Sequence, residues 1–185
     1  MPLRIFEQRY IDMVRECSAR GGEFGVCLVN NSESVRNSEN VGRPATHLRI
    51  GTTAEICDFS TLEDGLLGIT ARGREKFFIQ KTRMRDNGLL MAEVEIMAET
   101  SPVELPEQYS VLSMIVGRYM EKAGANHPEF QPQLLQDAGW VAFRLAELLP
   151  LENSEKQTLL QITDPLERLQ MLVNVLPRFQ GPGDS

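Results

Sequence analysis

The sequence predicts an α+β fold, in which a β-rich lobe with one helix precedes a C-terminal helical bundle. Two observations predict it. Residues 1–100 contain short apolar and β-branched runs separated by turn residues, which is typical of a small antiparallel sheet or half-open barrel. Residues 101–180 instead show helical periodicity and few strand signals. We therefore expect two domains with these bounds, followed by a disordered tail at residues 181–185.

One amphipathic helix is predicted in the β-rich lobe, over residues 3–18. Its apolar residues recur at helical spacing and form one stripe: Phe6, Tyr10, Met13, Val14 and Cys17. Gly21-Gly22 is expected to end it.

Strands are predicted at residues 24–29, 48–58, 66–71, 76–81 and 89–97. Turns are expected at Asp64-Gly65 and Asp86-Asn87-Gly88, and a further break at Arg72-Gly73-Arg74. The polar residues 30–44 are predicted to be a loop. In the last strand, alternation places Leu90, Ala92, Val94 and Ile96 on one face and Glu93 and Glu95 on the other.

Four helices, or three plus a stub, are predicted in the second half. A stripe from Tyr109 to Met120 predicts the first, which should end near residues 124–128. Asp137 is suited to cap the second, and Ser154 with Gln157 has the spacing of a capping box. Asp164-Pro165-Leu166-Glu167 predicts the start of the last helix.

Charge and composition exclude several function classes. The net charge is −7 and the pI about 5.0, so a nucleic-acid or anionic-membrane partner is not expected. No apolar run approaches the roughly 18 residues that span a bilayer, and the N-terminus does not resemble a signal peptide. Cys17, Cys27 and Cys57 are odd in number and unpaired in spacing, which favours a reducing cytoplasm.

No catalytic, metal or cofactor site is predicted. His47 and His127 are far apart and have no cysteine at ligand spacing. The cysteines are expected to be buried hydrophobes, with Cys57 the most reachable. Glu93 with Glu95, and Glu63 with Asp64, are expected to be solvated. The sequence contains no phosphate-binding G-x-x-x-x-G-K-[ST] motif.

Several segments carry a resemblance that covers nearly the whole chain. They are PLRIFEQRY at 2–10, FGVCLV at 24–29, GTTAEI at 51–56, DGLLGITARGREKFFI at 64–79, MAEVE at 91–95 and the helical segment at 144–176. Together they resemble the N-terminal, substrate-recognition domain of the Lon protease family. The resemblance implies a PUA-like β-rich lobe followed by helices, and a stand-alone Lon-domain protein without the ATPase and protease modules. It also implies that Glu7 makes a structural hydrogen bond to sheet backbone.

Two departures from the family pattern matter. The family's apolar strand before PLRIFE is missing, so we expect one sheet edge to need a dimer partner, a neighbouring element or residues trimmed from this sequence. Lys76 stands where the family usually has Arg, and lysine lacks arginine's planar fork.

The resemblance implies a non-catalytic protein that recognises polypeptide segments or unfolded protein. Strand addition beside an apolar groove would suit this role, and Met84, Met91 and Met97 near strand ends are candidate contact residues. Two alternatives remain open from the sequence. One is a small hydrolase with a site between the lobes, and the other is an adaptor subunit of a separate protease.

Overall fold

The computed structural model describes residues 1–29, 47–98, 101–123 and 130–179. The chain divides into two compact units, Met1–Glu99 and Thr100–Ser185. The predicted loop at 30–44, the predicted helix end at 124–128 with His127, and the predicted tail at 181–185 lie outside the described residues.

The first unit is a five-stranded antiparallel sheet with one helix. Its elements are β1 (Pro2–Ile5), α1 (Gln8–Arg20), β2 (Phe24–Val26), β3 (Ile50–Thr61), β4 (Leu67–Met84) and β5 (Leu90–Ile96). The strand order is β1-β4-β3-β2, and β5 also pairs with β4. Because β3 occupies one side of β4 from Leu67 to Phe78, β1 and β5 lie along its other side. With the helices of the second unit, this confirms the α+β class.

The helix predicted to begin at residue 3 begins instead at Gln8. Residues Pro2–Ile5 form β1, which pairs antiparallel with Leu67–Thr70 of β4. Their side chains alternate, with Leu3 and Ile5 turned inward and Pro2 and Arg4 exposed, which suits a strand. The predicted end is confirmed, since Gly21 adopts a left-handed φ of 60° and caps the helix.

The predicted break at Arg72-Gly73-Arg74 is wrong, because β4 runs without interruption for 18 residues. Gly73 lies opposite Ala54 of β3, and Arg72 lies opposite Glu55. Glu55 also forms an ion pair with Arg74 at 2.7 Å. The pairing register of β3 with β4 shifts on both sides of Ala54, between Thr52 and Ala54 and between Ile56 and Asp58. The irregularity expected at Gly73 therefore takes the form of register shifts and not of a break in β4.

Two strands approach closely around the Phe77 ring. A Cβ atom at Gly51 would lie 2.5 Å from the Val26 carbonyl oxygen and 2.7 Å from Phe77 Cζ. Only glycine fits there. The strand predicted at 24–29 ends at Val26, and Val29 makes an isolated bridge with His47.

The core of the first unit lies between α1 and the sheet. Its buried residues are Ile5, Val14, Phe24, Ala54, Ile69 and Ala71. Because α1 supplies Val14 and four strands supply the rest, this core fixes α1 against the sheet.

The second unit is helical in its described residues. Its α-helices are α2 (Ser110–Ala123), α3 (Ala138–Leu148), α4 (Asn153–Gln161) and α5 (Pro165–Val175). Short 3₁₀ helices lie at Glu107–Tyr109, Pro132–Gln136 and Leu176–Phe179. The buried core is formed by Tyr109, Leu112, Val116, Met120, Ala138, Val141, Ala142, Leu145, Ala146, Leu151, Leu159, Leu169 and Leu172.

Two of the three predicted helix starts are confirmed. Asp137 Oδ1 accepts from the backbone N–H groups of Gly139 and Trp140, and Asp164 Oδ1 accepts from Leu166. The predicted Ser154–Gln157 capping box is wrong. The Glu155 carboxylate instead accepts from the Glu152 N–H at 3.0 Å, and Gln157 is buried within α4.

Candidate functional site

One face of the β4–β5 hairpin changes from buried to exposed across the two strands. The register places Phe77 opposite Ile96, Ile79 opposite Val94 and Met84 opposite Leu90, all on that face. Phe77 and Ile79 on β4 are 2% and 6% exposed: β3 and β5 flank Phe77, and the Ile79 N–H donates to the Arg49 carbonyl at 2.7 Å on the side away from β5. Met84 at the end of β4 and the three apolar residues of β5 opposite it and along that strand remain 40% to 53% exposed. We call these the apolar hairpin face: Met84, Leu90, Val94 and Ile96.

The three candidate methionines do not come together. Met84 belongs to the apolar hairpin face. Met91 lies opposite Arg83, on the other face of the hairpin, and alternation places Met97 on that same other face. Both are half-buried, and their six-residue separation along the chain corresponds to about 20 Å.

Between Met91 and Met97, the opposite face of β5 is polar and exposed, as the alternation predicted. Glu93 lies directly across from Lys81, and Glu95 accepts a hydrogen bond from Gln80 Nε2 at 3.1 Å. The two glutamates therefore form a solvated acidic row, as expected from the sequence.

The backbone of β5 turns half of its polar groups away from β4. Hydrogen bonds join Arg85 N–H to the Leu89 carbonyl at 2.9 Å, and Met97 N–H to the Lys76 carbonyl at 2.8 Å. Since backbone direction alternates along a strand, odd-numbered residues of β5 face β4 and even-numbered ones face outward. Within the described ranges, β5 pairs only with β4. The outward groups belong to Leu90, Ala92, Val94 and Ile96.

Helix α1 holds the turn of this hairpin. Arg9 Nη1 donates to the Gly88 carbonyl at 3.0 Å, and Arg85 Nη1 donates to both carboxylate oxygens of Glu16 at 2.9 Å. The hydrogen bond expected from Glu7 to sheet backbone is replaced by an ion pair between Glu7 and Arg9 at 2.7 Å. Arg9, rather than Glu7, is the residue that contacts backbone.

Among the described residues, the three cysteines and His47 do not assemble a reactive site. Burial raises the pKa of Cys17 and of Cys27, so both thiols are less ionised than usual. Cys57 is exposed, with Sγ 3.8 Å from Glu55 Oε1. Across residues 1–29, 47–98, 101–123 and 130–179, no three His, Cys, Asp or Glu side chains are grouped to bind a metal ion. In the same segments, no helix combines the length and apolarity that crossing a bilayer requires.

A family model describes the chain over residues 1–178, that of the ATP-dependent protease La (LON) substrate-binding domain. The chain belongs to this family. The resemblance noted in the sequence is thereby confirmed, and it extends across both units.

Two solved structures of Lon N-terminal domains are similar in fold to this chain. The Lon N-terminal domain protein from Xanthomonas campestris is 36% identical, with a TM-score of 0.72, and the match covers 94% of this chain and 88% of that one. The N-terminal domain of the Mycobacterium avium complex Lon protease is 16% identical at a TM-score of 0.58, covers 94% and 87%, and supports the fold alone.

Curated relatives include Lon proteases from Xanthomonas oryzae pv. oryzae and Lawsonia intracellularis. They are 26% and 25% identical over 69% and 95% of this chain. The chain spans only 15% and 21% of their lengths. A LON peptidase N-terminal domain and RING finger protein from Schizosaccharomyces pombe is 23% identical, over 96% of this chain and 42% of its own length.

Of the LON domain's apolar hairpin face, only Met84 is among the contact candidates from the sequence, and Leu90, Val94 and Ile96 were missed. Leu90, Val94 and Ile96 alternate as residues of a core-facing strand do, so the sequence predicts one shared face and not its exposure. Their exposure follows from β5 lying at the sheet edge, which local pattern does not encode.

Proposed function

We propose that this chain is a non-catalytic recognition module that binds an extended polypeptide segment as an added strand beside β5. One observation carries the proposal. The same stretch of β5 offers outward backbone N–H and C=O groups and exposed apolar side chains at Leu90, Val94 and Ile96. Strand addition uses both, since main-chain hydrogen bonds supply affinity and alternate side chains supply selectivity.

The apolar hairpin face favours segments with an apolar residue at every second position. Such residues would lie beside Leu90, Val94 and Ile96 and continue the apolar surface by one strand. Unfolded chains expose such segments, whereas folded proteins bury them. A short added strand of this kind typically binds in the micromolar range, because ordering the segment costs part of the interaction energy.

The acidic row on the other face selects the intervening residues. An added strand would place its alternate side chains next to Glu93 and Glu95, where lysine or arginine is favoured and acidic residues are repelled. The preferred segment thus alternates apolar and basic residues, and its binding weakens with salt. The net charge of −7 acts in the same direction and disfavours nucleic acid.

The direct test is fluorescence anisotropy with a labelled ten-residue peptide that alternates valine and lysine. We expect micromolar binding, at least fivefold weaker binding when glutamate replaces lysine, and competition by a reduced and alkylated unfolded protein. Val94→Asp should weaken binding about tenfold or more, because it places a charge on the apolar hairpin face. Undetectable binding by folded protein at several hundred micromolar would contradict the proposal.

A proline substitution separates strand addition from simple apolar contact. Ala92→Pro removes an outward N–H while leaving the bonds to β4 intact, and proline is tolerated on edge strands. We expect it to weaken the peptide several-fold, whereas the matched Ala92→Val variant, which keeps the N–H, should bind as wild type. Circular dichroism of both variants controls for folding. Equal affinity of the two would exclude backbone pairing at this edge.

We also propose that this recognition takes place in the cytoplasm. The described residues include three free cysteines, one of them exposed, and a reducing compartment preserves them.

A further inference from the structure

Helix α2 carries apolar residues on two different sides. Leu112, Val116 and Met120 are buried in the core of the second unit. A second set remains 40% to 55% exposed, and its members recur at intervals of three and four residues, which places them along one side of the helix: Val111, Met114, Ile115 and Tyr119. Helix α2 therefore presents an apolar stripe to solvent as well as to the core.

Opposite charges lie at the two ends of this stripe. Glu107, in the 3₁₀ turn leading into α2, is four residues before Val111, and Lys122 is seven residues after Ile115. Both are exposed, and neither forms an ion pair with another described residue. Arg118, also exposed, adds positive charge to the C-terminal half. We call this set, from Glu107 through the four apolar residues to Lys122, the α2 stripe.

We propose that the α2 stripe is a homodimer interface, in which α2 packs antiparallel against α2 of a second copy about a two-fold axis near Met114 and Ile115. The midpoint between residues 107 and 122 falls between residues 114 and 115. An antiparallel arrangement centred there brings Glu107 against the partner's Lys122, twice over, with the apolar residues between them.

The charge pattern selects a second copy as the occupant. A two-fold interface must be self-complementary, since one patch meets itself in reverse. The α2 stripe meets this condition because it is acidic at one end, apolar in the middle and basic at the other. A parallel pair would place Lys122 beside the partner's Lys122, which costs energy. Antiparallel helices also bring opposite ends of their dipoles together.

The size of the α2 stripe sets the strength of the dimer. A helix of 14 residues is about 21 Å long and about 10 Å across, so contact confined to it falls short of the roughly 800 Å² per partner of a standard interface. We therefore expect a dimer that forms reversibly at micromolar concentration and weakens as salt rises.

The test is sedimentation equilibrium of the full chain at low ionic strength, from one to several hundred micromolar. Wild type should pass from monomer to dimer. Glu107→Lys and Lys122→Glu alone should each weaken the dimer about tenfold, because each turns two attractive contacts into two repulsive ones. The double variant E107K/K122E should recover most of the wild-type affinity, since the exchanged charges again attract.

Two further variants complete the experiment. Glu121→Lys changes the charge at the same end of the helix but one residue away from the stripe, and should alter affinity much less than Lys122→Glu. Ile115→Asp should abolish the dimer, with the thermal transition of the monomer recorded to show that it folds. A wild-type monomer at every concentration, or a double variant no better than the weaker single one, would overturn the proposal. Peptide binding at β5 is measured separately, so its failure would leave this result unaffected.

Discussion

The Arg168 guanidinium donates from Nε to the Leu159 carbonyl at 3.0 Å, and so joins α5 to the end of α4. Its Nη2 atom donates to the Ile162 carbonyl, and its Cζ atom lies 4.0 Å from the centroid of the Phe143 ring. The residue is only 2% exposed, and burial lowers its pKa. Arg168 thus satisfies carbonyls that the end of α4 leaves without partners inside the helix.

We expect Arg168→Met to lower the free energy of unfolding by about 2–4 kcal/mol, because it leaves buried carbonyls unpaired. Arg168→Lys should cost less than this, since lysine keeps a donor but not the planar fork. The matched control is Arg144→Met. Arg144 also lies near an aromatic ring, but its ion pair with Glu147 is exposed, so its loss should cost under about 1 kcal/mol. Urea denaturation measures all three, and equal costs at the two sites would refute this role for Arg168.

A methyl group at Gly51 should be poorly tolerated. The nearest atom to a Cβ there is the Val26 carbonyl oxygen, which belongs to the backbone and cannot rotate away. We expect Gly51→Ala to destabilise the protein by more than about 2 kcal/mol in thermal or urea unfolding. Adding Phe77→Leu should not rescue it, although the ring also lies close. The control Gly65→Ala meets no atom within 4 Å and should cost only about 1 kcal/mol for its φ of 78°.

The caps of α3 and α5 could be predicted because their signals are local. Asp137, or Asp164 followed by Pro165, fixes a helix start through its nearest neighbours in sequence. The continuity of β4 could not, since Gly73 remains extended only because Ala54 of β3 pairs with it. The same holds for β1, whose four residues are a strand because β4 lies beside them.

The salt bridge between Glu155 and Arg178 should make the folding stability of the protein depend on pH. The hydrogen bond from Arg178 lowers the pKa of Glu155 below its ordinary value of 4.5. Because the pKa of Glu155 is lower in the folded state, its salt bridge stabilises the folded protein above about pH 4.5. This stabilisation is lost as the pH falls through the folded-state pKa of Glu155. Glu155→Gln should therefore unfold at lower urea than wild type at pH 7, with the gap closing towards pH 3. A gap of constant size would show that the Glu155 charge contributes nothing.

The three cysteines should differ in reactivity towards a thiol-alkylating reagent. Cys57 is exposed, whereas burial raises the pKa of Cys17 and Cys27 and so reduces their thiolate fraction. We expect mass spectrometry of briefly treated native protein to find Cys57 modified several-fold faster than the other two. Denatured protein should lose this order, which is the control. Faster modification of Cys27 would mean that the β2 end opens readily.

The candidate site was only partly predictable for the same physical reason as the fold. Alternation placed Leu90, Val94 and Ile96 on one face, and the structure agrees. The opposite orientations of Met84 and Met91 depend on the hairpin register and on the shift between Ile79 and Lys81, which involve both strands together. Likewise, one stripe was expected on α2, but tertiary packing buries Val116 and leaves Ile115 exposed.

The pairing of β1 with β4 has a consequence for synthesis on the ribosome. The first strand has no partner until residues 67–70 have been made, and the amino group of Met1 reaches the Ala71 carbonyl at 2.7 Å. Closing so long a loop is slow compared with forming a local hairpin. Strand β1 therefore stays unpaired while the roughly 60 residues between it and its β4 partner are synthesised, and a chaperone can engage Leu3 and Ile5 during that interval.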